Sequence, residues 1–281
     1  MMGGVLFTKG HGTGNDFVII ADPDGALELT PSQVAALCDR RFGIGGDGVL
    51  RVVRTAKDPD GAAFAADAEW FMDYRNADGS IAEMCGNGVR VFTRYLISSG
   101  LATPGPAGLP VATRAGVVVA VIEGDLIRVN MTTPRVYAAS TATTGPLTFP
   151  GMAVDCGNPH LVCALHDGVE LSSLDLSVAP DFDTALFSRG VNVEFTVPAP
   201  PLDGFDRHVA MRVHERGSGE TLSCGSGALA VGAVALRDAG LTTGKVAVEL
   251  PGGRLEVTHD ADDRWWLAGP AVLVANGEIL D

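Results

Sequence analysis

Lysine is almost missing from this 281-residue chain: Lys9, Lys57 and Lys245 are the only lysines among 20 basic residues, a bias assigned to GC-rich coding rather than to function. Acidic residues number 34, and the net charge is -14. Nucleic acid and anionic membrane surfaces need clustered cations, so neither is an expected partner. Cys-x-x-Cys spacing is missing too. The five cysteines (38, 85, 156, 163 and 224) form an odd set that suits neither a disulfide framework nor a closed zinc site. A reducing cytoplasm and no metal are therefore expected. The opening residues show no basic stretch followed by an apolar core, and the apolar segment after Cys224 falls short of the roughly 20 residues of a membrane span. The expectation is a soluble, unprocessed protein.

Apolar residues make up 46% of the chain and charged ones 19%, enough for two cores. The length also favours two domains over one. An internal repeat agrees. The segment MCGNGVRVF, starting at Met84, has a partner 139 residues later in SCGSGALAV, starting at Ser223. The echo extends upstream, since Arg75-Asn76-Ala77-Asp78-Gly79-Ser80 leads to Cys85 as His214-Glu215-Arg216-Gly217-Ser218-Gly219 leads to Cys224. A second echo pairs Gly14-Asn15-Asp16-Phe17-Val18 with Gly157-Asn158-Pro159-His160-Leu161 at an offset of 143. Two echoes at nearly one offset indicate a duplication into two similar lobes, because a solenoid repeats at a much shorter period.

Most segments read as short strands: 5–8, 17–21, 49–54, 69–75, 117–122 and 126–131 in the first half, and 152–156, 161–165, 192–197, 209–214, 246–250 and 255–259 in the second. Gly124-Asp125 and Gly252-Gly253 supply hairpin turns. Segments 103–110 and 144–151, rich in Pro and Gly, read as loops, the second near the junction of the copies. Trp265 and Trp266 read as one inward and one outward residue of a strand. A last strand at 272–275 follows the second copy and is expected to return to the first. The first helix starts at Pro31 behind a Thr30 cap, with Val34, Leu37, Cys38 and Arg41 on one stripe before Gly43. The other two follow the repeated cysteines, over 87–99 and 226–239. The last is apolar on every side and must be buried all round, as inside a curved sheet. Gly43-Ile44-Gly45-Gly46-Asp47-Gly48 has the letters of a dinucleotide fingerprint but follows a helix and precedes a strand, the reverse of what that motif needs, and reads as a turn.

A cysteine at the start of a helix lies where free backbone N–H groups and the positive end of the helix dipole converge. That setting favours thiolate and also binds a carboxylate. Two such cysteines suit inversion of a stereocentre, in which one thiolate removes a proton and one thiol returns another from the opposite face. The scheme asks for no cofactor. A weakly acidic alpha proton further requires that the substrate carboxylate be clamped and water excluded.

The segments GTGNDF (12–17), FMDYRNADGSIAEMCGNGVR (71–90), DCGNPHLV (155–162), GVNVEF (190–195) and HERGSGETLSCGSG (214–227) together resemble the diaminopimelate epimerase family over nearly the whole chain. The resemblance implies a cofactor-independent epimerase that converts LL-2,6-diaminopimelate to the meso form for lysine and peptidoglycan synthesis. It implies an α+β fold of two pseudo-symmetric lobes, each a curved, barrel-like sheet around a central helix, with the site in a cleft between them. The first lobe is expected over 1–132, completed by the strand at 270–281, and the second over 133–269. Carried over by motif, Cys85 and Cys224 become the acid/base pair, and His160 and Glu215 tune the thiols. Gly86, Asn87, Gly225 and Ser226 hold the reacting carboxylate, while Asn15, Asn76, Asn158, Asn192, Glu215 and Arg216 bind the remaining polar groups. A homodimer is a candidate assembly. One departure is Gly48, where some members carry glutamine. The rival readings are a proline or hydroxyproline racemase of the same fold, whose substrate gives no reason for Arg216 and four asparagines, and a carboxylate-binding or thiol redox protein without epimerase activity.

Overall fold

The structure, a computed structural model, describes residues 3–280; Met1, Met2 and Asp281, which the sequence assigns to the first lobe, lie outside them. The chain divides into two compact units, one running up to Asn130 and resuming at Gly269, the other spanning Met131–Ala268. Among the described residues no helix is long and apolar enough to cross a membrane.

Unit 1 contains strands β1 (Leu6–Gly12), β2 (Asn15–Ala21), β3 (Gly48–Arg54), β4 (Trp70–Asn76), β5 (Leu109–Thr113), β6 (Gly116–Glu123) and β7 (Leu126–Met131), with helices α1 (Pro31–Cys38) and α2 (Gly86–Ser98). The chain's last strand, β18 (Val272–Glu278), pairs antiparallel with β1 and so joins this unit. From β18 the sheet runs through β1 to β7, with β2–β3 and β4–β5 parallel and the other neighbours antiparallel. Helix α2 packs against β18 and β1 to β6, so the sheet wraps it, and Val89, Phe92 and Leu96 are fully buried there. Tyr95, on the same helix, is half-buried.

Unit 2 holds β8 (Arg135–Thr144), β9 (Leu147–Asp155), β10 (Pro159–Ala164), β11 (Asp181–Phe182), β12 (Asn192–Pro198), β13 (Arg207–Glu215), β14 (Gly219–Thr221), β15 (Gly244–Leu250), β16 (Gly253–His259) and β17 (Trp265–Pro270), with α3 (Gly225–Asp238). Its main run is β8, β9, β10, β12, β13, β15, β16 and β17, with β10–β12 and β13–β15 parallel and the rest antiparallel. That is the parallel and antiparallel pattern of unit 1, strand for strand, and β18 occupies in unit 1 the place β8 holds in unit 2. The short strands β11 and β14 add to β8 and β13. The two echoes fall at matching places: Gly14 and Gly157, both at positive φ, turn β1 into β2 and β9 into β10. Helix α3 packs on β9, β10, β12, β13, β15 and β16, so its lack of a polar face matches burial on every side.

Some expectations need correction. Helix α1 has its Thr30 cap, with Gln33 completing a reciprocal capping box, but it ends at Cys38; Arg41 lies beyond it and is exposed. Leu37 and Cys38 carbonyls take the N–H groups of Gly45 and Gly46 instead, folding the Gly-rich turn back on the helix. The segment at 144–151 is not a loop but the β8–β9 hairpin, and the units divide before it. Pro150 is tolerated in β9 because β10 pairs only from Gly151 onward, so the proline faces no second ladder. Pro110 likewise lies inside β5. Trp265 and Trp266 are both buried: Trp265 stacks on His259, while Trp266 donates Nε1–H to Asp260 under the Arg264 guanidinium.

The turn from β4 toward α2 rests on α1. Gly79, at φ +83°, closes it by donating to Asn76 O, and an added Cβ would lie 2.4 Å from Pro31 Cα. Gly79→Ala is expected to destabilise unit 1 by about 1–3 kcal/mol, through both the clash and the unfavourable φ. Urea denaturation checks this, and an unchanged midpoint would show that the turn moves freely off α1.

Candidate active site

Cys85 and Cys224 are the N-cap residues of α2 and α3, so each helix begins one residue earlier than the sequence suggests. Their backbones match (φ -144°, ψ 115° and φ -122°, ψ 114°), and each Sγ accepts the N–H three residues on, from Gly88 and Gly227, at 3.4 Å. A sulfur held this way replaces the usual Ser or Asp cap and receives hydrogen bonds that favour its anion. A helix leaves the N–H groups of its first turn without intrahelical acceptors. Those of Gly86 and Asn87, and of Gly225 and Ser226, occupy that turn beside each sulfur.

In unit 1 the Cys85 thiol donates to Asn15 Oδ1 at 3.6 Å, and Asn87 Nδ2 donates to the same oxygen at 3.3 Å. Asn15 Nδ2 donates to Asp47 Oδ2 at 2.7 Å, while Arg90 donates to Asn87 Oδ1 at 2.9 Å and to Thr13 Oγ1 at 2.7 Å. Arginine only donates and a carboxylate only accepts, so the two ends set both amide orientations without ambiguity. Asp47 is itself held by Arg40 at 2.8 Å. Arg90 is fully enclosed, and burial brings its guanidinium down to about 10, with the charge of Cys85 working to raise it. Asn76 is not on this network; its Nδ2 donates to Ser80 Oγ at 3.0 Å. A Cβ at Gly48 would meet Arg75 O at 2.4 Å and Tyr74 Cε2 at 2.6 Å, so this backbone leaves no space for a glutamine side chain there.

In unit 2 the Cys224 Sγ lies 3.7 Å from Ser226 Oγ, which accepts from Asn158 Nδ2 at 3.3 Å. Asn158 Oδ1 lies 3.1 Å from His160 Nε2, and His160 Nδ1 lies 2.6 Å from Glu194 Oε1. Asn192 Oδ1 accepts the Arg216 N–H at 2.8 Å, and Arg216 donates from its exposed side chain to Arg189 O. Thr221 donates to Glu215 Oε1. Burial first, then the Glu215 and Glu194 carboxylates, push the Cys224 thiol well above its ordinary value, with Gly227 and Ser226 opposing. Cys156 and Cys163 are buried core thiols, pushed up by the same desolvation. None of the five cysteines is in a disulfide.

Sequence reasoning missed Asp47, Arg90 and Glu194. The signal for Glu194 was the one charged residue of the strand Asn192–Pro198, and for Arg90 a charge on the buried side of a helix.

The profile of the family described as diaminopimelate epimerase matches residues 7–137 and 152–275, on both sides of the β8–β9 turn. The chain belongs to the diaminopimelate epimerase family. The diaminopimelate epimerase of Streptomyces coelicolor is 50% identical over 283 residues, covering 98% of this chain and 95% of its own. That of Corynebacterium glutamicum (strain ATCC 13032) is 48% identical, covering 98% of each. Among solved structures, a PhzF-family phenazine biosynthesis protein of Bacillus anthracis superposes with a TM-score of 0.71 at 17% identity, covering 99% of both chains. A hydroxyproline epimerase of Agrobacterium vitis superposes at 0.66 and 15%, covering 98% of this chain and 90% of the other. At such identities these likenesses establish the α+β fold alone. The racemase reading thus shares the fold, while sequence similarity places the chain among the diaminopimelate epimerases.

Proposed function

We propose that this chain is an isomerase that converts LL-2,6-diaminopimelate to meso-2,6-diaminopimelate, with Cys85 and Cys224 as its two acid/base groups. Family membership supports the substrate, and the observation that carries the chemistry is the matched capping of two helices by two cysteines. One thiolate takes the alpha proton as the C–H bond breaks, and the electron pair stays on carbon, stabilised by the substrate carboxylate held at the helix N-termini. The other thiol then donates its proton from the opposite face. In the reverse reaction the roles exchange, which is why duplicated units suit this chemistry. Desolvation and two carboxylates raise the Cys224 thiol, which suits it to the acid role in one direction. No step asks for a cofactor.

The reading gives the backbone N–H groups of Gly86, Asn87, Gly225 and Ser226 to the reacting carboxylate, and Asn15, Asn76, Asn158, Asn192, Glu215 and Arg216 to the other polar groups of the substrate. His160 and Glu215 tune the thiols. The setting is lysine and peptidoglycan synthesis in a reducing cytoplasm, which keeps both thiols reduced, and a homodimer is the candidate assembly, checked by sedimentation. The deciding experiment offers LL-diaminopimelate and L-proline in deuterated water. Inverted, deuterated diaminopimelate is expected; inversion of proline alone would transfer the chain to the racemase reading, and binding without exchange would make it a carboxylate-binding protein.

Arg216→Met is expected to raise KM strongly, since a substrate carboxylate loses a charge-assisted hydrogen bond worth about 1.5–3 kcal/mol. Steady-state kinetics checks this; an unchanged KM would remove Arg216 from the site.

A further inference from the structure

Glu194 is a fully buried carboxylate whose hydrogen bonding the two-thiol scheme does not use. Its Oε1 contacts His160, while its Oε2 is buried with no hydrogen-bond partner. The carboxylate presses on the first turn of α3 so closely that a Cβ on Gly227 would lie 2.7 Å from Oε1 and 3.3 Å from Cys224 Sγ. A glycine is therefore required where carboxylate, helix and sulfur meet. Burying a charged group is costly unless it is paired and hydrogen-bonded.

What it reaches is a hydrogen-bonded chain, Glu194–His160–Asn158–Ser226–Cys224, made wholly within unit 2 at 2.6, 3.1, 3.3 and 3.7 Å. Each interior member, imidazole, amide and hydroxyl, both donates and accepts, so the direction of the chain is decided at its ends. In the direction recorded, Asn158 gives its N–H to Ser226 and turns its oxygen to His160. His160 must then carry a proton on Nε2, and Ser226 has its own hydroxyl proton left for the sulfur. Nδ1 either donates to the Glu194 carboxylate or accepts from its protonated form, so one proton is shared across the 2.6 Å contact. Burial raises the Glu194 carboxyl against the pull of His160, which suits such sharing. Unit 1 differs: there Asp47 and Arg90 lock in one direction the amides of Asn15 and Asn87, which stand where unit 2 has Asn158 and Ser226.

The geometry points to Glu194 as a positioning residue for the epimerisation: by sharing a proton with His160 it turns Asn158 and Ser226 so that a hydroxyl hydrogen faces the Cys224 sulfur. The inference rests on the proposed role of Cys224. A hydroxyl donated to the sulfur stabilises the thiolate that the base step needs, at the thiol whose surroundings otherwise oppose it.

The test is Glu194→Gln in the full-length protein, which keeps the shape but cannot share a proton. Two readouts are taken: NMR of ¹⁵N-histidine protein, with His160 assigned from His160→Gln, and steady-state kinetics on diaminopimelate. The expected result is loss of the strongly deshielded His160 Nδ1 proton and a kcat lowered at least about tenfold, with KM changed less than about threefold. Ser226→Ala, which cuts the chain at the sulfur while leaving the buried pair intact, is expected to lower kcat similarly and to keep the His160 signal. Parental kcat in either variant, or a parent protein without the shared-proton signal, overturns the inference. If the parent fails to epimerise diaminopimelate, the functional reading falls, while the NMR result still decides whether Glu194 and His160 share a proton.

Discussion

Cys85→Ala and Cys224→Ala are each expected to lose epimerisation by about 10²–10⁴-fold or more, the range that a positioned acid/base group contributes. Neither sulfur can replace the other, because each proposed proton transfer uses its own face of the substrate carbon. Both cysteines also cap helices, so alanine removes a capping acceptor, which costs about 0.5–2 kcal/mol. Serine separates the two roles: Cys85→Ser and Cys224→Ser keep an acceptor for the Gly88 or Gly227 N–H but replace a thiol with a far weaker acid. The serine variants should therefore recover thermal stability and remain inactive. More than a few per cent of parental activity in any of the four purified variants would end the two-thiol assignment.

Asp73→Ala is expected to cause the largest loss of stability. Asp73 lies on β4 with no exposure and receives Arg75 Nε at 2.7 Å, Arg114 at 2.6 Å and Arg51 at 3.1 Å, while Arg51 also reaches Asp22 and Asp58. Removing one member of a buried ionic group leaves the others uncompensated, at about 3–5 kcal/mol. The carboxyl also carries an acid dependence. Burial alone would raise it, but the Arg75 and Arg114 hydrogen bonds outweigh that and hold it below the usual carboxylate range. A carboxyl lowered on folding contributes stability above its unfolded value, near 4, and loses it as the pH falls through the folded value. Parent and variant should therefore differ most at neutral pH and converge in acid. Urea titrations at several pH values check both points. A neutral-pH difference under about 1 kcal/mol would show that the three guanidinium groups find other partners.

Much of the candidate site was legible because its signals are local. A cysteine followed by Gly-x-Gly is an N-cap by the chemistry of one helical turn, and the Gly-Asn echoes are turns needing positive φ at Gly14 and Gly157. The duplication was legible because both copies kept those short segments. Errors fell where composition and context disagree: Pro and Gly at 144–151 spelled a loop, yet β9 accepts Pro150 at a point where its second neighbour has not begun.

The sequence by itself determined the two matched cysteine caps, the repeat, the buried character of α3 and the family resemblance, all legible in short segments whose residues lie close together along the chain. Only the tertiary structure decided that β18, expected from the sequence to return to the first lobe, pairs with β1 there, that Trp266 is covered, and that Asp73 gathers three arginines. It alone paired His160 with Glu194, 34 residues away, and set Asp47 against Asn15, 32 residues away. A buried charge announces that it needs a partner, but the partner is chosen by which strands lie side by side, and strand pairing joins residues whose separation along the chain carries no local signal.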